Sequence, residues 1–257
     1  METQGKVAVI TGSSRGVGRA VALSLARQGC RIVLNFRSSR EEAESVLKEL
    51  QKTDTPSLMI QADVSKESDC LTLIQQTVDQ FGGLDILVNN AATTDFLPFA
   101  DLSLLTDAHW DRILQTNVKG PFYCSRAAAP WLKKSKDGGE VINITSIAGL
   151  TGNGSSMAYC ASKAALINMT VSLARILAPQ VRVNSVAPGF IADDWTQQGL
   201  KERYEDIKEG HESKAVLGKV CYPDDVAAAV VSLITGSDLI TGQNLVCDGG
   251  STIGPSA

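Results

Sequence analysis

Histidine is nearly missing from this chain. Only His109 and His211 occur in 257 residues. Two imidazoles are too few for a His-rich metal site, and they support a His-based catalytic triad poorly; no metal site is expected. His109, beside Trp110, reads as a helix-surface residue. The six cysteines (Cys30, Cys70, Cys124, Cys160, Cys221 and Cys247) are scattered, with no Cys-x-x-Cys pair. They read as reduced thiols of a cytoplasmic protein, mostly packing. Positive charge is not in excess either. A net charge of −4 and a pI near 5.3 argue against a nucleic-acid or anionic-membrane surface. No apolar run approaches transmembrane length. Met-Glu-Thr-Gln-Gly-Lys leads straight into the first apolar run, which leaves no room for a signal peptide. Pro/Gly-rich linkers, repeats and low-complexity runs are also lacking, so a single domain spanning 1–257 is expected.

What is present alternates. With 44% hydrophobic and 20% charged residues, the composition suits a globular α/β protein with a large core. Short apolar runs at Lys6–Ile10, Arg31–Phe36, Ser57–Gln61, Leu84–Val88, Glu140–Thr145, Val181–Val186 and Gly242–Cys247 read as strands. Helical stretches are expected between them, from about Arg19 to Arg27, Glu41 to Leu50, Ser65 to Phe81, Asp107 to Leu132, Ser156 to Ala178, and Asp224 to Thr235. Ser65 reads as an N-cap, and Gly82-Gly83 breaks its helix. Asn117 interrupts the fourth helix, because asparagine is a poor mid-helix residue. It marks a kink, a hydrogen bond to nearby strands or a water relay. The polar segment 192–216, with Trp195, Tyr204 and His211, reads as a mobile helical lid. The sum is one doubly wound Rossmann-type α/β domain, a seven-stranded mainly parallel sheet with helices on both faces.

Thr11-Gly12-Ser13-Ser14-Arg15-Gly16-Val17-Gly18 joins the first strand to the first helix. Free N–H groups at a helix N-terminus, approached closely through glycines, receive a phosphate or diphosphate. The spacing is Gly-x-x-x-Gly-x-Gly. At the end of the second strand an acid would bond a ribose 2′-hydroxyl, whereas an arginine suits a 2′-phosphate. Phe36 stands there, followed by Arg37, with Ser38, Ser39 and Arg40 beyond. Arg15 offers a second cation. The pattern favours NADP(H) over NAD(H).

The stretch from Ser146 to Lys163 carries the chemistry. Ser146 follows the fifth strand, and Tyr159 and Lys163 sit four apart on a helix. Such a pair shares one face, at roughly 5–6 Å between Cβ atoms. An ammonium about 4–5 Å from the phenol, at an effective dielectric of ~20, is worth on the order of 4 kcal/mol. That would lower the tyrosine pKa by nearly ~3 units, toward a general acid or base.

With these residues assembled, the chain resembles the short-chain dehydrogenase/reductase family over essentially its whole length. The motifs that carry the resemblance are Thr11 to Gly18, Asp63-Val64, Asn89-Asn90-Ala91, Asn117, Ser146, Tyr159 with Lys163, and Pro188-Gly189. The resemblance implies a catalytic set of Asn117, Ser146, Tyr159 and Lys163. Tyr159 would exchange the proton at the substrate oxygen, and Ser146 would polarise that oxygen. Lys163 would hold the nicotinamide ribose and lower the tyrosine pKa, with Asn117 maintaining a water link to it. The cofactor-binding set would comprise Gly12, Ser14, Arg15, Gly16, Val17, Gly18, Arg37, Asp63, Val64, Asn90, Ala91, Tyr159, Lys163, Pro188, Gly189 and Ile191. Asp63 would bond the adenine edge.

Two positions depart from the family pattern. Ala92 stands where a glycine is usual, so an extra methyl would shift the backbone near the pocket. Asp193 stands where a threonine often touches the nicotinamide amide, and that contact is not carried over. Asn35-Phe36-Arg37 resembles the 3-oxoacyl-(acyl-carrier-protein) reductases, a subgroup commonly tetrameric through helices matching about 107–132 and 156–178. The implied activity is hydride transfer between NADPH and a carbonyl or secondary alcohol, and a 3-oxoacyl thioester is among the candidate substrates. The alternatives are an NAD-dependent dehydrogenase of a sugar, polyol or hydroxy-steroid, and a non-enzymatic dinucleotide sensor or scaffold. Residues 92–105, 147–157 and 190–216 would set substrate choice.

Overall fold

Val7-Ala8-Val9-Ile10 shows how the sheet is built. All four residues are buried, but alternate side chains leave by opposite faces. Ala8 and Ile10 enter one core, shared with Val21, Leu25, Val226 and Val230. Val7 and Val9 enter the other, shared with Leu73, Cys124, Leu132 and Leu177. A strand buried on both faces reads as a continuous apolar run; β3 and β7, at the sheet edges, are only partly buried.

A computed structural model describes residues 1–254; the last three residues of the expected 1–257 domain lie outside the described residues. The chain runs β1 (Val7–Ile10), α1 (Gly16–Arg27), β2 (Arg31–Phe36), α2 (Arg40–Leu50), β3 (Ser57–Gln61), α3 (Glu67–Phe81) and β4 (Ile86–Asn89). After a 3₁₀ turn at Leu102–Leu104 come α4 (Asp107–Leu114), a π-helical turn (Gln115–Lys119), α5 (Gly120–Leu132), β5 (Gly139–Ile144), α6 (Ala148–Thr151), α7 (Met157–Leu177) and β6 (Val181–Pro188). Then follow α8 (Asp194–Leu200), a 3₁₀ turn (Lys201–Arg203), α9 (Tyr204–Glu212), α10 (Pro223–Thr235) and β7 (Asn244–Cys247). The strand order is β3-β2-β1-β4-β5-β6-β7. Every pairing is parallel, where the sequence predicts a mainly parallel sheet. The order reverses between β1 and β4, and a doubly wound sheet opens its crevice at the carboxyl ends beside such a reversal.

Several local expectations change. Helix α1 begins at Gly16 rather than Arg19, so the last two glycines of the turn belong to its first turn. Ser65 is not an N-cap: its hydroxyl donates to Asp63 at 2.7 Å and α3 begins at Glu67. The single helix expected from Asp107 to Leu132 is two helices joined by the π-turn that contains Asn117. Such a turn inserts an extra residue and re-aims the side chains around it. The 192–216 segment, expected to be helical, holds two short helices joined by a 3₁₀ turn. His109 closes a capping box with Thr106 at the start of α4. One helix does reach a length and apolarity compatible with crossing a membrane: Met157–Leu177. Its buried residues, among them Leu166, Thr170, Leu173 and Leu177, make it a core helix.

Candidate active site

Glycine, threonine and two asparagines build the first wall. Gly12 has φ +61, open to glycine at no cost, and a Cβ there would meet Ala91 Cα at 2.9 Å. A Cβ on Gly18 would fall 2.6 Å from the Gly12 carbonyl oxygen. Asn35, buried in β2, accepts from Gly12 N at 3.1 Å and donates to the Ala62 carbonyl at 3.0 Å. One amide thereby ties the glycine turn to the end of β3. Thr11 Oγ1 accepts from Asn90 N and Ala91 N, and Asn90 Nδ2 donates to the carbonyls of Thr11 and Gly12, both at 2.9 Å. The side chain of Asn90 therefore clamps the turn, while its backbone faces the cavity. The result is a preformed N-terminal end of α1 with its amides aimed outward, the geometry that receives an anion.

Beyond this turn lies the end of β2. Phe36 is buried, and Arg37 projects at the cavity rim. Arg40 pairs with Glu44, whereas Arg37 and Arg15 have no acidic partner among the described residues. Ser14 and Ser39 share a hydroxyl contact at 2.8 Å. Asp63 lines the cavity, with Oδ1 accepting from the Ser65 amide and hydroxyl. Val64 lies beside it and packs against Gly120. Ala92 fits without strain, since the one non-glycine residue at positive φ among the described residues is Lys201. The backbone shift expected at Ala92 needs no unusual dihedral.

The second wall joins β5 to α7. Ser156 N-caps α7 and accepts from Tyr159 N at 3.3 Å, which sets the tyrosine in the first turn. Lys163, 2% exposed, donates from Nζ to the Ile144 carbonyl at 2.7 Å, two residues before Ser146. Its Nζ lies 5.5 Å from the centre of the Tyr159 ring. Ser146 is close enough to hydrogen-bond the tyrosine. Asn117 does not bond Lys163. It accepts from Thr93 N at 2.8 Å and donates to the Thr93 carbonyl and to Ser162 Oγ. The π-turn thereby holds the loop after β4 against α7.

The titration of this wall departs from the sequence argument. Burial pushes the Tyr159 phenol up to about 12, with only the Ser146 hydroxyl pulling it down. Burial also draws Lys163 down to about 7. Desolvation, which disfavours both charged forms, is the largest cause of both shifts.

The third wall is the turn after β6. Gly189 N donates to Cys247 O at 2.9 Å and Ile147 N to Pro188 O at 3.0 Å, so Pro188-Gly189 is strapped between β5 and β7. A Cβ on Gly189 would meet Asp248 at 2.8 Å. Ile191 bridges to Cys221. These walls enclose a cavity of about 740 Å³ that reaches Gly12, Arg37, Asp63, Asn90, Ser146, Tyr159, Lys163 and Gly189 together. Ser14, Arg15, Gly16, Val17, Val64, Ala91, Pro188 and Ile191 also line it; Gly18 and Asn117 stand behind the lining.

The far end is built from two of the segments expected to set substrate choice, 92–105 and 190–216, but the sequence does not show which side chains meet there. Phe96 and Phe99 from the loop after β4 face Phe190, Trp195 and His211 across the cavity. The rings of Phe96 and Trp195 lie 6.1 Å apart, and Phe190 stacks on His211 at 4.8 Å. Gly199, one turn after Trp195, lacks the Cβ that the Phe96 ring would otherwise overlap. Arg203, with no acidic partner among the described residues, lines the same end. A loop's aromatic content is visible in a sequence, but which cavity it meets is not.

With the geometry in hand, comparison with known proteins finds consistent relatives. The profile of a family described as Enoyl-(Acyl carrier protein) reductase matches residues 12–252. The 3-oxoacyl-(acyl-carrier-protein) reductase FabG of Staphylococcus aureus (strain Mu50) is 38% identical over 248 residues, covering 95% of this chain and 97% of that protein. A short-chain dehydrogenase from Burkholderia cenocepacia J2315, solved in complex with NADP, superposes with a TM-score of 0.87 at 33% identity, covering 98% of this chain and 100% of its own. A Brucella melitensis structure, titled a short-chain dehydrogenase/reductase of the glucose/ribitol dehydrogenase type, gives a TM-score of 0.86 at 30% identity, covering 97% of this chain and 98% of its own.

Proposed function

We propose, from the premise that this chain belongs to the short-chain dehydrogenase/reductase family, that it is an NADPH-dependent oxidoreductase acting on ketones, with 3-oxoacyl thioesters as the substrate class. The observation that carries the reading is the meeting of Ser146, Tyr159 and Lys163 at the carboxyl end of a doubly wound sheet, facing a glycine-lined anion seat in one cavity.

The residues present suit NADP(H). Gly12 and Gly18 leave a backbone cradle that a Cβ would fill. Arg37 and Arg15, free of acidic partners among the described residues, are suited to a 2′-phosphate, and no acid at the end of β2 competes for a 2′-hydroxyl. NADPH, when bound, supplies the hydride. The amides of the glycine turn would hold the diphosphate, Arg37 the 2′-phosphate, and Pro188, Gly189 and Ile191 the nicotinamide side.

Ser146 would hydrogen-bond the substrate carbonyl oxygen and aim it. Tyr159, with a phenol pushed up to about 12, is protonated at neutral pH. A protonated phenol is the form needed to deliver a proton to a developing alkoxide in carbonyl reduction. Lys163 fixes the strand end that presents Ser146. Residues 192–216 would serve as a lid, and the Phe96, Phe99, Phe190 and Trp195 surfaces would take the apolar part of the substrate. The reading includes one domain for the whole chain, a cytoplasmic location and a homotetramer. Exposed Phe122 on α5 and Ile176 on α7 suit contacts between copies.

The test is NADPH oxidation by purified protein with a 3-oxoacyl thioester, with NADH run in parallel. Loss of NADPH absorbance well above the NADH rate is the expected result. No turnover of either cofactor with this thioester would remove it as the substrate class.

A further inference from the structure

Asp193 is the N-cap of α8: its Oδ1 accepts from Thr196 N at 2.9 Å. A cap of this kind needs an oxygen acceptor, and Asn, Ser or Thr would serve the helix as well. The negative charge adds only a modest dipole contribution to that cap. Its second oxygen, Oδ2, takes no hydrogen bond or cation among the described residues. It points at the glycine turn, 3.0 Å from where a Cβ on Gly16 would stand. Gly16 is the first residue of α1, the end at which helix amides and the positive dipole collect an anion. Arg15 and Arg203 line the same cavity without pairing to this carboxylate. The first turn of the lid thus carries an uncompensated anion into the phosphate seat.

We propose that the Asp193 carboxylate opposes the cofactor diphosphate at the N-terminus of α1, so that this chain holds NADP(H) loosely and releases it readily. The inference rests on the NADP(H) reading above. Two anions a few ångströms apart repel even in a half-exposed site, and after screening the effect on binding is about tenfold. The same carboxylate also anchors α8, so dinucleotide binding and the lid's first turn are coupled through one side chain. Substitution to Asn or Thr keeps the cap acceptor and deletes the charge, which isolates the electrostatic part.

The experiment is calorimetric titration of wild type, Asp193→Asn and Asp193→Thr with NADPH and, separately, with adenosine 2′-monophosphate. The second probe carries the 2′-phosphate but has no diphosphate, so it reports on the Arg37 end alone. Both variants should bind NADPH about tenfold more tightly, with adenosine 2′-monophosphate unchanged. Unchanged or weaker NADPH binding in both variants, with wild-type melting curves, would overturn the proposal. Equal tightening of both probes would overturn it too, since a field over the whole cavity would then replace local opposition. Wild type that binds adenosine 2′-monophosphate and NADPH not at all would instead strike at the NADP(H) reading itself.

Discussion

Lys163 Nζ donates to the Ile144 carbonyl at 2.7 Å, and this one bond ties the helix that bears Tyr159 to the strand that delivers Ser146. The amine is buried, and burial holds its pKa at about 7, below its ordinary 10.5. Above pH 7 the unfolded chain binds more protons at this group than the folded one, so its contribution to stability rises with pH from about 7 toward 10.5. At and below pH 7 the burial penalty is felt in full. Lys163→Met should therefore raise the melting temperature, more at pH 6 than at pH 9, while turnover falls by at least about a hundredfold. Thermal melts of both proteins at the two pH values check it; a larger gain at pH 9 would contradict the burial argument.

Tyr159→Phe removes the proton donor and little volume. NADPH binding should stay within about twofold of wild type, and turnover should fall by roughly 10³-fold, in the range of general acid catalysis. Because the phenol stands near 12, the oxidative rate should climb relative to the reductive rate as pH rises from 7 to 10. Paired initial-rate profiles in the two directions would show this, and a constant ratio would argue against Tyr159 as the titrating acid.

Arg37→Asp should reverse cofactor preference. The exposed guanidinium lies next to buried Phe36 at the cavity rim and has no acidic partner among the described residues. Losing one charged phosphate contact and placing an acid near a ribose hydroxyl should weaken NADPH at least about tenfold and improve NADH. The ratio of kcat/KM for the two cofactors is the readout. If the ratio does not move, Arg15 reads the phosphate instead.

Gly199→Val should disturb the substrate end alone. A side chain there meets the Phe96 ring, so either the loop after β4 or α8 must shift. KM for a ketone should rise about tenfold, with the NADPH dissociation constant unchanged. Adding Phe96→Ala should recover part of the loss, because the overlap disappears with the ring. A double variant worse than Gly199→Val would show that the ring is needed for more than filling the notch.

Strands such as Val7–Ile10 and Arg31–Phe36 are legible because burial on both faces leaves no polar alternation to confuse the reading. Tyr159 and Lys163 are legible because helical spacing alone places them on one face. Asn35 is not: in a sequence it looks like a weak strand residue, and only the fold shows its amide spanning Gly12 and Ala62. Phe96 and Asp193 sit in segments whose partners come from other parts of the chain, so no local pattern announces them. The direction of the Tyr159 shift is illegible in the sequence for a different reason. Coulomb attraction is computable from spacing, whereas desolvation depends on everything packed around the pair.

The frame that seats the dinucleotide is keyed together by Thr11, Asn35 and Asn90, all hydrogen-bonded within the glycine turn and its neighbouring strand ends. The aromatic end lies beyond these bonds; Phe96 and Trp195 come from further along the loop after β4 and from α8. Apart from Asp193, which caps α8 and points at Gly16, change in one need not propagate to the other. A lineage built this way can trade one substrate for another by altering loop residues while inheriting the same electron donor intact. Laboratory exchange of residues 92–105 or 190–216, with Ile191 and Asp193 kept, is the corresponding graft, and the keyed turn is the part to leave alone.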